Sequence, residues 1–277
     1  MRRKKLFIKI MIHAFLVFWV MLTLYPILWV VKISFSPGKS LISTSLSLIP
    51  EQFTWANFHT VIFGRPFLNW FMNSAICAAG TTTLGVFLAC TAAYAYSRFR
   101  FPGQREGMMS FLITQMFPGT LMIIPQFILI SKLGLLNRLA GLIVIYSTTA
   151  IPFCIWILKG YFDTIPVDLE ESALIDGASR NQAFWYVILP LARPAIAITA
   201  LFSFMTAWNE YILAATFMES ELKYTLPVGL RMMVGEFASD WGLFAAASLL
   251  VSIPVVALFM SLQKYLVSGL TAGAVKG

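Results

Sequence analysis

Along this chain, long uncharged apolar runs alternate with short polar stretches. The runs lie at 10–33, 68–97, 109–131, 139–158, 195–218 and 243–266. Each is near the ~20 residues that a helix needs to cross ~30 Å of hydrocarbon. The period-2 alternation of barrel strands is absent, and an unpaired backbone amide in lipid costs on the order of several kcal/mol. The pattern therefore predicts an all-α integral membrane protein with six transmembrane helices in a single domain, 1–277. The stretch 163–193, between the fourth and fifth runs, is the one strongly polar internal stretch.

That insertion reads as two short helices. Pro166 suits a first helical position, Asp168 and Glu170 fall in a first turn where the helix dipole favours anions, and Gly177 is a stop. The first helix is then about three turns. Ser179 with Gln182 forms a capping-box pattern, after which Phe184, Val187, Ile188 and Leu191 share one apolar face, and Pro190 and Pro194 end the element. Elsewhere Pro118-Gly119-Thr120, Pro125, Pro152 and Pro254 interrupt apolar runs, which suits either plain kinks or helices bent around a pathway. Gly80-Thr81-Thr82-Thr83 with Gly85, and Ala92, Ala93 and Ala95, predict close helix packing in the second span.

Composition agrees with a bilayer as solvent: 59% of residues are hydrophobic and 12% charged, against roughly a quarter charged in soluble domains. The net charge of +8 would suggest nucleic acid in a soluble protein, but here the basic residues flank apolar runs, which is topology and not a nucleic-acid patch. Arg2, Arg3, Lys4, Lys5, Lys9, Arg98, Arg100, Arg105, Lys159, Arg180, Arg193, Lys264 and Lys276 fall on one side, and Lys32, Lys39, Arg65, Lys132, Arg138, Lys223 and Arg231 on the other. The excess predicts both termini in the cytoplasm, with 34–67, 132–138 and 219–242 outside and 98–108, 159–194 and 267–277 inside. The run from Phe7 to about Val31 is too long for a signal-peptide core and lacks a cleavage site, so it reads as a retained first span. Cys77, Cys90 and Cys154 lie in apolar segments without paired spacing, so neither a disulfide nor a metal site is expected.

Glu171-Ser172-Ala173, Asp176-Gly177-Ala178 and Ile188-Leu189-Pro190, at this spacing, resemble the EAA signature of permease subunits in binding-protein-dependent ABC importers; Ser172 replaces the usual first alanine. Within that family the chain is similar to the smaller permease of the maltose/maltodextrin type. The resemblance rests on Phe117-Pro118-Gly119-Thr120, on Lys159 through Pro166, on Tyr224 through Leu230 and on the tail from Ser268 to Gly277, so it covers nearly the whole chain. It implies the type I importer permease fold in a bacterial cytoplasmic membrane. It implies as partners a second homologous permease, two ATPase subunits that carry ATP and Mg, and an extracytoplasmic solute-binding protein that delivers an oligosaccharide. This chain itself would hold no cofactor and catalyse nothing.

The resemblance also assigns roles. Glu171, Ser172, Ala173, Asp176, Gly177 and Ala178 would form the coupling helix seated in an ATPase cleft, with Glu171 as the carboxylate meeting an arginine there. Thr271, Ala272, Gly273 and Lys276 would reach between the ATPases. Met232, Met233, Gly235 and Glu236 belong to a loop that would probe the binding protein. From the residues alone, Trp208-Asn209-Glu210-Tyr211 is the most polar cluster within a span and so a candidate for the substrate pathway; a structural hydrogen bond to the partner permease is the other reading.

Competing classes fit less well. Gly38-Lys39-Ser40 ends like a phosphate-binding loop, but residue 33 is Ile where the earlier glycine belongs. An ion-coupled secondary sugar transporter would carry more buried charge than Glu210 supplies. A membrane enzyme lacks a cluster, since His13 and His59 are isolated. Among sugars maltodextrins lead, with galactan and alginate oligosaccharides as alternatives.

Overall fold

A computed structural model describes residues 2–37, 47, 49–234 and 240–274. In chain order the α-helices are α1 Arg2–Ser34, α2 Ala56–Phe63, α3 Phe67–Arg98, α4 Gln104–Met116, α5 Ile123–Lys132, α6 Leu139–Phe162, α7 Asp168–Ile175, α8 Arg180–Leu191, α9 Arg193–Trp208, α10 Ile212–Phe217, α11 Leu226–Met232 and α12 Trp241–Ala274. The chain divides into two compact units, residues 1–67 with 230–253 and residues 68–229 with 254–277.

In the first unit, α1 is apolar on all sides and exposed from Lys5 to Leu28, as a helix bathed in lipid must be. Its end is fixed by Asn57, whose Nδ2 donates to the carbonyls of Ser34 and Ser36 at 2.9 and 3.0 Å. Phe35 stacks on Phe53, 4.8 Å between centroids, and meets Trp55 and Phe58 edge-on or tilted at 4.9 Å each.

In the second unit the long helices α3 and α6 frame the core. Cys154 of α6 lies 3.3 Å from Ser203 Oγ of α9, and the small side chains at this contact let the two backbones approach. A methyl on Gly80 would stand 2.6 Å from Ile143 of α6, so the glycine predicted for close packing is there for that reason. At its start α3 staples the 221–226 loop: Trp70 Nε1 donates to the Glu221 carbonyl at 2.8 Å, Asn73 Nδ2 to those of Leu222 and Tyr224 at 2.9 Å each, and Ser74 Oγ accepts from Leu226 N at 2.8 Å.

Among the described residues four helices are long and apolar enough to cross a membrane: the Lys5–Ser34 part of α1, α3, α6 and the Trp241–Tyr265 part of α12. The third predicted run is broken. α4 and the Gly119–Lys132 stretch, a 3-10 turn followed by α5, meet at 98° around Phe117 and Pro118, because the residue before proline is pushed to extended backbone, here ψ 130°. The fifth run is broken as well. It ends at Trp208 and resumes as α10, while at its start α8 and α9 meet at 80°. With each bent pair taken as one span the total reaches six. Pro152 and Pro254, by contrast, sit inside continuous helices. The C-terminal tail has helical backbone to Ala274.

Candidate functional site

The 163–193 segment is tied to the C-terminal end of α3 by charge. Glu170, buried at 6% exposure, accepts a hydrogen bond from the Tyr94 hydroxyl and a charge-assisted one from Arg98 Nε at 3.1 Å. The same guanidinium donates to the Ile165 carbonyl at 2.9 Å and to Ser97 Oγ at 3.1 Å. Ser97 in turn donates to Asp163 Oδ1 at 2.7 Å, and Lys159 Nζ meets Asp163 Oδ2 at 2.6 Å. Arg98 and Glu170 are each 7% exposed in their side chains, whereas Lys159 and Asp163 are 27% and 42% exposed. The first pair is therefore the anchor, and the second contributes at most ~1 kcal/mol.

Two consecutive residues on a helix point about 100° apart. With Glu170 turned into Arg98, Glu171 faces out, along with Asp168, Leu169, Ser172, Ile175 and Asp176; Ala173 and Ala178 are half-buried. The open face carries acids beside apolar side chains, with Ile175 86% exposed and Leu169 45%. Gly177 ends α7 at φ +88°. Its N–H donates to the Leu174 carbonyl at 3.1 Å and that of Ala178 to Ala173 at 3.0 Å, the paired bonds of a Schellman motif. α7 is shorter than its sequence implies: Val167 is the N-cap, and helix runs only from Asp168 to Ile175.

Ser179 and Gln182 form the predicted capping box. α8 then turns Phe184 and Ile188 into a core with Tyr94, Cys154, Leu158 and Phe162. Leu191, expected on that face, is 45% exposed, because the helix widens to a π turn at Phe184–Ile188, with Leu189 N reaching back to Phe184 O. Such a turn shifts the register of every side chain beyond it. Pro190 lies within α8, and Pro194 opens α9.

The other candidate residues are placed as follows. Trp208 is buried and stacks on Phe204 at 5.2 Å; Asn209 and Tyr211 are exposed. Glu210 accepts from Leu213 N at 2.8 Å, Ala214 N at 3.0 Å and the Tyr146 hydroxyl at 3.1 Å. It thus caps α10 from within its own chain. Met232 is 53% exposed and Met233 6%, while Gly235, Glu236 and Lys276 lie outside the described residues. Thr271, Ala272 and Gly273 fall on the last turns of α12.

Sequence reasoning missed the anchor. It placed Glu170 in a favourable dipole and counted Arg98 as a topology marker. A basic residue closing a span, together with two adjacent carboxylates in the next polar segment, was the available signal.

A bent-helix bundle that clamps a short, acid-bearing helix at one end is the architecture of a transporter permease. Residues 81–272 match the family described as "Binding-protein-dependent transport system inner membrane component", and the chain belongs to that family. It is 39% identical over 269 residues, 96% of this chain and 94% of the relative, to the galactooligosaccharides transport system permease protein GanQ of Bacillus subtilis. It is 36% identical over 285 residues, 96% and 95% of the two chains, to the maltose/maltodextrin transport system permease protein MalG of Escherichia coli K12. A solved bacterial ABC transporter involved in import of the acidic polysaccharide alginate has a chain of the same fold, with TM-score 0.81 and 26% identity over 95% of this chain and 98% of that one. The protein is thus a multi-pass sugar permease subunit of an ABC importer, not itself an enzyme, which works with a binding protein and ATPase subunits. Family membership sets aside the ion-coupled alternative.

Proposed function

We infer that this chain passes oligosaccharides, maltodextrins first, across the bacterial cytoplasmic membrane as the smaller of two permeases, with both termini on the ATPase side. The supporting observation is the full-length relation to the maltose/maltodextrin permease, 36% identical, joined to an α7 whose open face bears Glu171. The 39% identity to the galactooligosaccharide permease favours galactooligosaccharides as the second reading. Closure of the ATPases would pull α7, and the Arg98–Glu170 anchor would pass that pull into α3. Both permeases would then alternate between outward and inward access. Glu171, Ser172, Ala173, Asp176, Gly177 and Ala178 act as the coupling contact, with Glu171 facing an ATPase arginine. The end of α12 with Lys276 reaches the ATPases, and Met232, Gly235 and Glu236 reach the binding protein. Met233 is held inside. Trp208, Asn209, Glu210 and Tyr211 border the substrate pathway, with Glu210 also shaping the break at 208–211 through its bonds to Leu213 N, Ala214 N and Tyr146.

The test is ATP hydrolysis by the assembled transporter in proteoliposomes, with its binding protein loaded in turn with maltodextrin, galactooligosaccharide or alginate oligomers. Neutral oligosaccharides are expected to stimulate hydrolysis. Glu171→Lys should abolish that stimulation without lowering the thermal midpoint. Stimulation by alginate oligomers alone would overturn the substrate, and full stimulation in Glu171→Lys would overturn the coupling role.

A further inference from the structure

One flank of α8 carries a feature that contact with an ATPase does not use. Between α3 and the α8–α9 corner lie two adjoining hollows. One, ≈ 330 Å³, is lined by polar Arg180, Asn181 and Thr91 beside Tyr94. The other, ≈ 370 Å³, is lined by Thr82, Val86, Leu189, Ile196 and Ala200. Phe87, Thr91, Phe184 and Trp185 border both, so the hollows form one groove with a polar mouth and an apolar floor.

Its length is set by α3. From Tyr94 to Thr82 is twelve residues, ~18 Å at 1.5 Å per residue, close to one leaflet of a hydrocarbon core ~30 Å thick. The polar mouth lies at the end of α3 where the apolar run gives way to Arg98 and Arg100, the place along a span where headgroups would begin. The groove therefore changes from polar to apolar over the same depth that a phospholipid does.

Charge selects among phospholipids. Arg98 is neutralised by Glu170, but Arg180, among the described residues, has no carboxylate within ion-pair distance. Its guanidinium lies 5.4 Å from the centroid of the Phe99 ring, a contact that orients the side chain and leaves the charge and its fork of N–H donors open. The Asn181 amide stands beside it at the mouth. An open guanidinium above an apolar slot between membrane helices suits an anionic headgroup. We propose that the groove holds one anionic phospholipid, its phosphate at Arg180 and Asn181 and an acyl chain along residues 82–91 of α3.

The test places a photoreactive benzoylphenylalanine at Phe87 in the assembled transporter, in nanodiscs with equal fractions of phosphatidylglycerol and phosphatidylcholine. Adducts are identified by mass spectrometry. Phosphatidylglycerol adducts are expected to exceed phosphatidylcholine adducts about fivefold, the ratio that ~1 kcal/mol for one basic residue gives. Arg180→Gln should bring the ratio to one, Arg180→Lys should keep it, and Ala200→Phe should reduce both adducts by filling the floor. Soluble glycerol phosphate in excess should change nothing. A crosslink to the second permease in place of lipid, a ratio of one in the unaltered protein, or competition by soluble glycerol phosphate would each overturn the proposal. Should Arg180→Gln fail to assemble, the ratios in the unaltered protein and in Arg180→Lys still decide it.

Discussion

The two ends of α3 hold their neighbours by different chemistry. Near Phe67, the neutral side chains of Trp70, Asn73 and Ser74 bond the backbone of 221–226. Near Arg98, a guanidinium and a phenol converge on the carboxylate of Glu170. Twenty-eight residues, ~42 Å of helix, separate Trp70 from Arg98. The neutral end grips carbonyls and amides that any residue supplies, so it fixes the path of the loop and leaves its side chains free to vary. The charged end fixes identities, because only a carboxylate at 170 answers Arg98. For a permease the contrast is useful. A loop proposed to meet a binding protein keeps a variable surface, while the helix proposed to meet an ATPase is locked in one rotation with Glu171 outward.

The largest effect is expected at the charged end. Arg98→Ala or Glu170→Ala leaves an unpaired buried charge and should cost about 3–5 kcal/mol, read as a lowered thermal midpoint of the purified transporter. Arg98→Met with Glu170→Leu removes both charges and should recover most of the loss. If it recovers stability but not transport, the pair is held for its geometry. If the single variants lose under about 1 kcal/mol, the two ends do not differ and the comparison fails.

The neutral end should respond less, and first to crowding. A methyl on Gly229 would run into the Trp70 ring, so Gly229→Ala should cost about 1–3 kcal/mol by overpacking. Trp70→Phe keeps an aromatic ring but deletes the donor to Glu221 O, and Asn73→Ala deletes the donor to two carbonyls; each is worth about 1 kcal/mol. Hydrogen exchange in 221–226 should quicken in both variants, while α7 amides keep their protection.

Much of this arrangement was legible in the sequence where the signal was local. Gly177 had to stop a helix, Ser179 and Gln182 had to cap one, and Gly80 had to admit a neighbour, because each constraint is satisfied within a turn or by bulk alone. What failed to show was non-local. Glu170 and Glu171 are identical by type, and only Arg98, seventy-two positions away, decides which one is buried. The break at 208–211 contains no proline or glycine. It exists because Glu210 caps α10 and is met there by Tyr146, a partner on another helix. Proline alone did not tell a break from a kink: Pro118, followed by glycine, turns the chain by 98°, while Pro152 and Pro254 are absorbed in continuous helices.

The smallest expected effect sharpens where the charged anchor ends. The turn from α7 to α8 is closed by Gly177 and the Ser179–Gln182 box, and its one charged side chain, Asp176, is exposed and takes no part in the anchor. Within the box, Gln182 Oε1 accepts from Ser179 N at 2.7 Å, and Ser179 Oγ accepts from Gln182 N at 3.3 Å, so the serine supplies the longer bond of the two. Ser179→Ala should therefore fall at the low end for an N-cap, about 0.5–1 kcal/mol, and Gln182→Ala should exceed it. Because Phe184 and Ile188 bury α8 independently of its cap, the loss should be confined to faster exchange at the 180–183 amides, with an unchanged thermal midpoint. If exchange also quickens around Glu170, the turn and the ionic anchor open as one unit. The rotation of α7 would then depend on its C-terminal turn as well as on Arg98.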